Sequence, residues 1–131
     1  MRSVDVMENF GVFQILGFLC KRDGMPTADF IDYYENHHVP LILSLAPAPA
    51  VYKRHYLADT DSSNVGSIDF DVITELQWLC RKDFERWIEA LGSAEAGERV
   101  ATDEARFLDR SRTRSSVVMS YVTKSTDGSD F

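Results

Sequence analysis

Residues Phe18 to Leu41 read FLCKRDGMPTADFIDYYENHHVPL, and this segment carries most of the information about the fold. It begins with the end of an apolar, strand-like run and continues through a turn at Arg22-Asp23-Gly24. Pro26 and Thr27 then open a predicted helix, since proline is tolerated in a first helical turn. An apolar stripe recurs at helical spacing and comprises Phe30, Ile31, Tyr34, Leu41, Ile42 and Leu45. The stretch therefore predicts a strand followed directly by a helix that is buried on one face.

Two histidines and a proline interrupt the regular pattern of this helix. His38 falls in the middle of the apolar stripe, and His37 lies at its margin. Pro40 lacks the N–H that would bond the carbonyl of Asn36, so we expect the helix to kink or break between the histidines and the proline. It should then resume as a short turn through Leu45. A histidine on a buried stripe beside a helix break is the first candidate for chemistry.

The rest of the chain predicts further strands and a second amphipathic helix. Apolar or alternating runs predict strands at Val12–Lys21, Val51–Ala58, Asp69–Leu79 and Ser115–Lys124. Lys82–Leu91 has apolar residues at i, i+3, i+4 and i+7 and predicts a helix, whereas residues 93–106 predict one or two short helical turns. The order β-α-β-β-α-β is typical of an α+β, ferredoxin-like fold, a four-stranded antiparallel sheet with helices on one face.

The other face of this sheet has no helix to cover it. It carries Ile73 and the valine or methionine positions of the last strand. An exposed apolar sheet face of this kind usually marks a subunit interface. We therefore expect a homodimer in which two sheets close against each other to form a barrel.

Composition limits the classes of function. The 131 residues are 44% hydrophobic and 27% charged, which predicts one soluble globular domain. The predicted strands place this domain at residues 12–124, with a flexible leader at 1–11 and a disordered tail at 125–131. The net charge of −7 repels phosphate backbones and argues against nucleic-acid binding. No membrane span or signal peptide is predicted, so we expect a cytoplasmic location. Cys20 and Cys80 fit no disulfide framework or zinc spacing and are expected to be buried free thiols.

Several motifs resemble those of the EthD domain. Residues 18–41 contain a K-x-x-G-M turn, an F-x-x-Y-[YW] helix and an H-x-P signature, here Lys21–Met25, Phe30–Tyr34 and His38-Val39-Pro40. Residues 101–111, ATDEARFLDRS, resemble the D-E-x-x-F-x-D region of fungal members. The resemblance extends from about residue 12 to 124 and implies a dimeric α+β barrel. It departs at Pro26, where relatives commonly have a helix-capping serine.

The resemblance implies a range of activities. Similar fungal proteins belong to polyketide pathways, and the wider superfamily includes cyclases, lactone isomerases, cofactor-free monooxygenases and haem enzymes. We expect a cofactor-independent lyase, a decarboxylase or dehydratase, that acts on an aromatic or polyketide-like acid in secondary metabolism. A polyketide cyclase or isomerase that steers a reactive intermediate by pocket shape is one alternative. A non-catalytic dimeric binding or accessory module is another.

His38 is the expected general acid and base, because imidazole can take or give a proton near neutral pH. Tyr34 lies four residues earlier on the same helical face, and Asp109 follows in the second motif. We expect these two residues to position a phenol, enol or carboxylate, with Asp109 orienting His38 as a further option. A purely structural His38, bonded to a carbonyl freed by Pro40, remains the alternative.

Five further residues are candidates for substrate contacts: His37, Arg54, His55, Trp87 and Phe107. His55 alternatively forms a surface pair with Asp71 or Glu75 of the neighbouring strand. Because the chain is acidic, an anionic substrate needs a local cation, supplied by Arg54, Lys53 or Arg110.

No metal or other cofactor is predicted. His37 and His38 are adjacent on a helix and point about 100° apart, so both cannot easily bind one ion. No H-E-x-x-H spacing, nucleotide-binding loop or dinucleotide-binding motif occurs in the sequence.

Overall fold

The computed structural model describes residues 12–57 and 68–124. The leader predicted at residues 1–11 and the tail predicted at 125–131 lie outside these ranges, as does Ala58, the predicted end of the second strand. No helix within the described ranges is long and apolar enough to cross a membrane.

The elements follow the predicted order. They are β1 (Phe13–Leu19), α1 (Thr27–Tyr33), a π-helical turn (Tyr34–His38), α2 (Val39–Leu45), β2 (Val51–Tyr56), β3 (Val72–Trp78), α3 (Arg81–Leu91), α4 (Ala94–Glu104), a 3₁₀ turn (Arg110–Arg112) and β4 (Arg114–Val118). The last strand ends at Val118, six residues before the predicted end at Lys124.

The four strands form one antiparallel sheet in the order β2-β3-β1-β4. Residues paired across neighbouring strands point to the same side of the sheet. The hydroxyl of Tyr34, in the helical segment after α1, reaches Thr74, so the helices lie on the side of the sheet to which Thr74 points. This helix face comprises Phe13, Ile15, Gly17, Leu19, Tyr52, Arg54, Tyr56, Val72, Thr74, Leu76, Trp78, Ser115 and Val117. The open face comprises Gln14, Leu16, Phe18, Val51, Lys53, His55, Ile73, Glu75, Gln77, Arg114, Ser116 and Val118. This arrangement confirms the predicted α+β, ferredoxin-like fold.

The core lies between α1 and the segment that follows α4. Phe30 and Phe107 are fully buried, with ring centroids 5.8 Å apart. Tyr34 packs on both rings, and Leu108 and Val72 complete the cluster. Burying one such aromatic ring contributes about 1.5–3 kcal/mol. This cluster holds the first helix against the chain that carries the second family-like motif.

The break expected near Pro40 takes the form of a widened turn. The N–H of Val39 donates to the carbonyl of Tyr34, five residues earlier, and the helix then continues through Leu45. A π-helical turn absorbs one extra residue, which relieves the clash that Pro40 would make with the carbonyl four residues before it. Tyr34 and His38 bound this turn, and both are buried.

Two expectations about local structure are wrong. Residues 94–104 form one continuous helix instead of one or two short turns, because the Ser93 hydroxyl accepts the N–H of Ala96 and caps it. Cys80 is exposed, since it precedes α3 at the end of the sheet, whereas Cys20 is buried as predicted. Burial raises the pKa of the Cys20 thiol.

Candidate functional site

A cavity of about 350 Å³ lies between the helix face of the sheet and helices α2, α3 and α4. Its wall is mainly apolar and includes Ile15, Leu19, Ile42, Leu76, Trp87 and Leu108. The polar side chains of Tyr34, His38, Tyr52 and Thr74 meet at one part of this wall. A concave apolar site with a few convergent polar groups is typical of a small-molecule pocket.

His38 occupies a wall of this cavity with one ring nitrogen fixed. Its Nδ1 lies 2.8 Å from Oδ2 of Asp103 in α4, and the ring is 5% exposed. Its Nε2 makes no hydrogen bond with the described part of the chain. When Nδ1–H donates to the carboxylate, Nε2 keeps its lone pair and can accept a proton. The pair therefore has the arrangement of an oriented general base.

Asp103 is held in turn by a second aromatic side chain. The Tyr33 hydroxyl donates to its Oδ1 at 2.6 Å. Burial, and then the hydrogen bond to Asp103, raise the pKa of Tyr33, so this phenol stays a donor. Phe107 packs against both partners, with ring centroids 4.9 Å from His38 and 5.2 Å from Tyr33. These contacts leave the Asp103 carboxylate little freedom to turn away from His38.

Asp109 lies elsewhere. Its carboxylate accepts hydrogen bonds from Ser111 and Arg112 and begins the 3₁₀ turn. Those bonds, from Ser111 first, lower the pKa of Asp109. The carboxylate that orients His38 is therefore that of Asp103, a residue that the sequence analysis did not place in the site. The signal available was the same D-E-x-x-F-x-D motif, in which Asp103 precedes Phe107 by four residues.

Tyr34 is the centre of a buried chain of hydroxyl groups. Its Oη lies 2.6 Å from Oγ1 of Thr74, and Tyr52 lines the same part of the cavity. Burial raises the pKa of Tyr34, so it remains a neutral phenol. Its ring packs edge-on against His38 at 5.5 Å. The geometry thus confirms that Tyr34 and His38 share one side of the first helix and meet at the cavity.

The cations expected to neutralise an anionic substrate are used elsewhere. Arg54 donates to both oxygens of Glu35 at 2.9 and 2.6 Å, and Tyr56 adds a third donor to that carboxylate. Arg110 pairs with Glu104 at 3.2 Å. Lys53 is exposed on the open face. None of these three cations lines the cavity.

The remaining candidate residues fall into different environments. Trp87 lines the cavity, and Phe107 is buried directly behind His38. His37 is exposed and stacks on Tyr33 at 4.8 Å. His55 points to the open face, away from the cavity, and its Nε2 lies 3.1 Å from Oε1 of Glu75. That contact matches the cross-strand pair expected as the alternative for His55.

Within residues 12–57 and 68–124, no group of three or more histidine, cysteine, aspartate or glutamate side chains is arranged to hold a metal ion.

Comparison with protein families gives one match over most of the chain. A model of the EthD domain matches residues 22–111. The search of curated proteins finds no match.

Comparison with solved structures identifies the same architecture at low sequence identity. An EthD-like protein from Ralstonia eutropha JMP134 is 18% identical, with a TM-score of 0.57 over 89% of this chain and 97% of that chain. SnoaB, a cofactor-independent oxygenase from Streptomyces nogalater, is 12% identical, with a TM-score of 0.55 over 86% and 96%. A dimeric protein of unknown function with a ferredoxin-like fold, from Bacteroides fragilis NCTC 9343, is 9% identical, with a TM-score of 0.53 over 83% and 96%. Likenesses at these identities show the fold alone.

Proposed function

Since the chain belongs to the EthD domain family, we propose that it is a cofactor-independent lyase that acts on an aromatic, polyketide-like substrate by acid–base catalysis. One observation carries the proposal. A histidine in the wall of an apolar cavity has Nδ1 fixed by a carboxylate at 2.8 Å, and its Nε2 is without a partner in the described chain. Proton transfer from carbon requires such a buried, oriented proton acceptor.

The reaction that suits this arrangement is dehydration of a β-hydroxy ketone. His38 Nε2 takes the proton from the carbon beside the carbonyl, and the C–H electron pair forms an enolate. Tyr34 donates a hydrogen bond to the enolate oxygen, and the Thr74 hydroxyl donates to the phenol oxygen of Tyr34. When the carbonyl re-forms, the β C–O bond breaks, and the hydroxyl leaves as water with the proton that His38 carries.

Dehydration fits the cavity better than decarboxylation. A substrate carboxylate needs a cation beside it when it leaves water. Arg54 and Arg110 are each committed to a glutamate, and Lys53 faces the other side of the sheet. We therefore favour the dehydratase form of the lyase over the decarboxylase form.

Cyclisation or isomerisation is the second candidate, because either reaction begins with the same enolate. The fungal, polyketide-pathway setting of the substrate comes from the resemblance in residues 101–111. SnoaB is a cofactor-independent oxygenase on this fold, which is consistent with chemistry that needs no bound cofactor. The free, buried Cys20 thiol is consistent with a reducing, cytoplasmic location.

Proton abstraction can be tested without the natural substrate. 2-Tetralone is a bicyclic ketone whose α-proton exchanges with deuterium from the solvent once it is enolised, and NMR follows that exchange. We expect the wild-type protein to accelerate exchange and His38→Gln to slow it by about 10²-fold or more, since a positioned base contributes roughly 10²–10⁴-fold.

His55→Gln is the matched control, because that histidine also contacts a glutamate but lies on the open face. It should exchange at the wild-type rate. Equal rates for wild type and a folded His38→Gln would refute acid–base catalysis and favour the accessory module. Product analysis with a β-hydroxy ketone then separates dehydration from cyclisation.

We also propose that the working unit is a homodimer formed through the open face. Leu16, Phe18, Ile73 and Val118 lie on this face and are only partly buried in one chain. The relative from Bacteroides fragilis is a dimer with the same ferredoxin-like fold. A second copy of the chain offers the same apolar side chains to the face, as a two-fold interface requires.

A further inference from the structure

A glycine forms part of the cavity floor. Gly17 lies inside β1, a strand paired on both sides, between Ile15 and Leu19 on the helix face. Glycine weakens a strand interior, because it has no side chain to pack and loses more conformational freedom on folding. A glycine at such a position commonly marks a place where another group approaches the backbone closely.

The space above Gly17 belongs to the cavity. A Cβ built there would come within 3.1 Å of Leu19 Cδ1, and next within 3.9 and 4.0 Å of the carbonyl oxygen and Cβ of Thr74. All of these atoms belong to β1 and β3, so the group nearest to the missing side chain's place is the end of the Leu19 side chain and not a helix. The backbone of Gly17 and the end of Leu19 thus form this part of the cavity floor, beside Thr74, whose hydroxyl meets Tyr34.

The side chains around this floor are suited to an uncharged ring. Phe84 and Trp87 of α3 line the cavity above the sheet. Glu104 also lines it and is an anion paired outward with Arg110. Arg114 is the one arginine or lysine in this lining, and its register with Phe18 starts its side chain from the open face of the sheet.

No described arginine or lysine side chain is therefore directed into the cavity from the sheet. A carboxylate bound there would lose its hydration without gaining a cation, and it would lie near Glu104 and Asp103. A phenol or ketone oxygen has a much smaller desolvation penalty, and it can accept a hydrogen bond from the Tyr34–Thr74 hydroxyl pair.

We infer that the ligand of this cavity is a flat, uncharged aromatic ring system that lies across Gly17, with its oxygen towards Tyr34 and His38. Gly17 then determines specificity, since any side chain at this position occupies the space of the ring. The inference rests on the proposed function to the extent that both place the substrate in the His38 cavity. It adds the class of substrate, a neutral phenol or ketone, and the residue that admits it.

Two matched probes and two substitutions test this inference. At pH 7, 2-naphthol is neutral and 2-naphthoic acid is ionised, although the two have the same ring system. Titration calorimetry should give at least about tenfold tighter binding of 2-naphthol, because the carboxylate has no counter-charge. Gly17→Ala should weaken 2-naphthol binding several-fold, and Gly17→Val should weaken it by about tenfold or more.

Thermal unfolding of the same variants separates a steric effect on the ligand from a folding defect. Gly17→Ala is expected to melt at or above the wild-type temperature, because alanine restricts the unfolded strand and only the flexible end of Leu19 must shift. Gly97→Ala in α4 is the matched control, since Gly97 does not line the cavity. It should bind 2-naphthol as the wild type does.

The inference is overturned if a folded Gly17→Ala and Gly17→Val bind 2-naphthol with wild-type affinity, if 2-naphthoate binds as tightly as 2-naphthol, or if the wild type binds neither. His38→Gln distinguishes these failures from a failure of the proposed function. That variant should lose deuterium exchange of 2-tetralone, which reports the base and not the fit of a ring over Gly17. Exchange that persists without His38 removes the acid–base mechanism and leaves the ligand assignment standing.

Discussion

His38 has two ring nitrogens with different surroundings, and this difference is what makes it useful. Nδ1 meets a carboxylate that Tyr33 also holds, while Nε2 has no partner in the described chain. Helical periodicity alone placed His38 on the buried stripe, and the structure confirms that burial. The carboxylate partner could not be found in that way, because Asp103 is 65 residues away in another helix.

The two aspartates of the D-E-x-x-F-x-D motif provide a matched pair for a substitution experiment. Asp103→Asn keeps the shape of the side chain but removes the charge that orients His38, so we expect 2-tetralone exchange to slow by roughly 10- to 100-fold. Asp109→Asn removes a carboxylate that bonds only Ser111 and Arg112 among the described residues, and exchange should stay at the wild-type rate. Circular dichroism checks that both variants fold. A slower Asp109→Asn with an unaffected Asp103→Asn would reverse the assignment.

The π-helical turn is the element that assembles the site. Its extra residue lets one continuous helix carry Pro40 and still present Tyr34 and His38 to the cavity. The same turn directs Glu35 to the second strand, where Arg54 and Tyr56 bind its carboxylate. The turn therefore bonds to the sheet through Glu35 and faces the cavity through Tyr34 and His38.

The ion pair between Glu35 and Arg54 makes the free energy of unfolding depend on pH. The hydrogen bond from Arg54, aided by that from Tyr56, holds the pKa of Glu35 below its ordinary 4.5. A carboxyl group with a lowered folded-state pKa binds fewer protons folded than unfolded. The contribution of Glu35 to the free energy of unfolding is thus fully present above pH 4.5, and it is lost as the pH falls through the folded-state pKa.

Glu35→Gln should reduce the free energy of unfolding by about 1–2 kcal/mol at pH 7, since Arg54 keeps its charge and loses its partner. The difference from wild type should shrink as the pH falls below 4.5. Urea unfolding at several pH values measures both effects. Glu85→Gln, in the exposed Arg81–Glu85 pair of α3, is the control and should cost less than about 0.5 kcal/mol. A gap between wild type and Glu35→Gln that is constant from pH 7 to pH 3 would contradict this account.

At the scale of the whole molecule, the two faces of the sheet have separate roles. The helix face forms the cavity, whereas the open face carries apolar side chains among polar ones, and no helix of residues 12–57 and 68–124 covers it. His55 and Lys53 lie on this open face, so two residues expected near the substrate are on the opposite side of the sheet. If two copies pair through these faces, the two cavities lie on the outside of the barrel.

Ile73→Lys tests the proposed dimer, because it puts a charge at the middle of the open face. Light scattering coupled to size-exclusion chromatography should give twice the chain mass for the wild type and the chain mass for the variant. Leu43→Lys changes a 45% exposed apolar residue of α2 and should remain dimeric. A wild type that is monomeric at micromolar concentration, or an Ile73→Lys variant that remains a dimer, would exclude this interface.

The order of elements, the family and the burial of His38 could be predicted from the sequence, because periodicity and short motifs are properties of neighbouring residues. Three contacts arise only when the helices pack on the sheet: Asp103 and not Asp109 meets His38, Thr74 meets Tyr34 across 40 residues, and Glu35 neutralises Arg54. A local pattern reports which side of its own helix or strand a residue occupies. It does not report which other element packs there, and both the chemistry and the charge of this cavity depend on that packing.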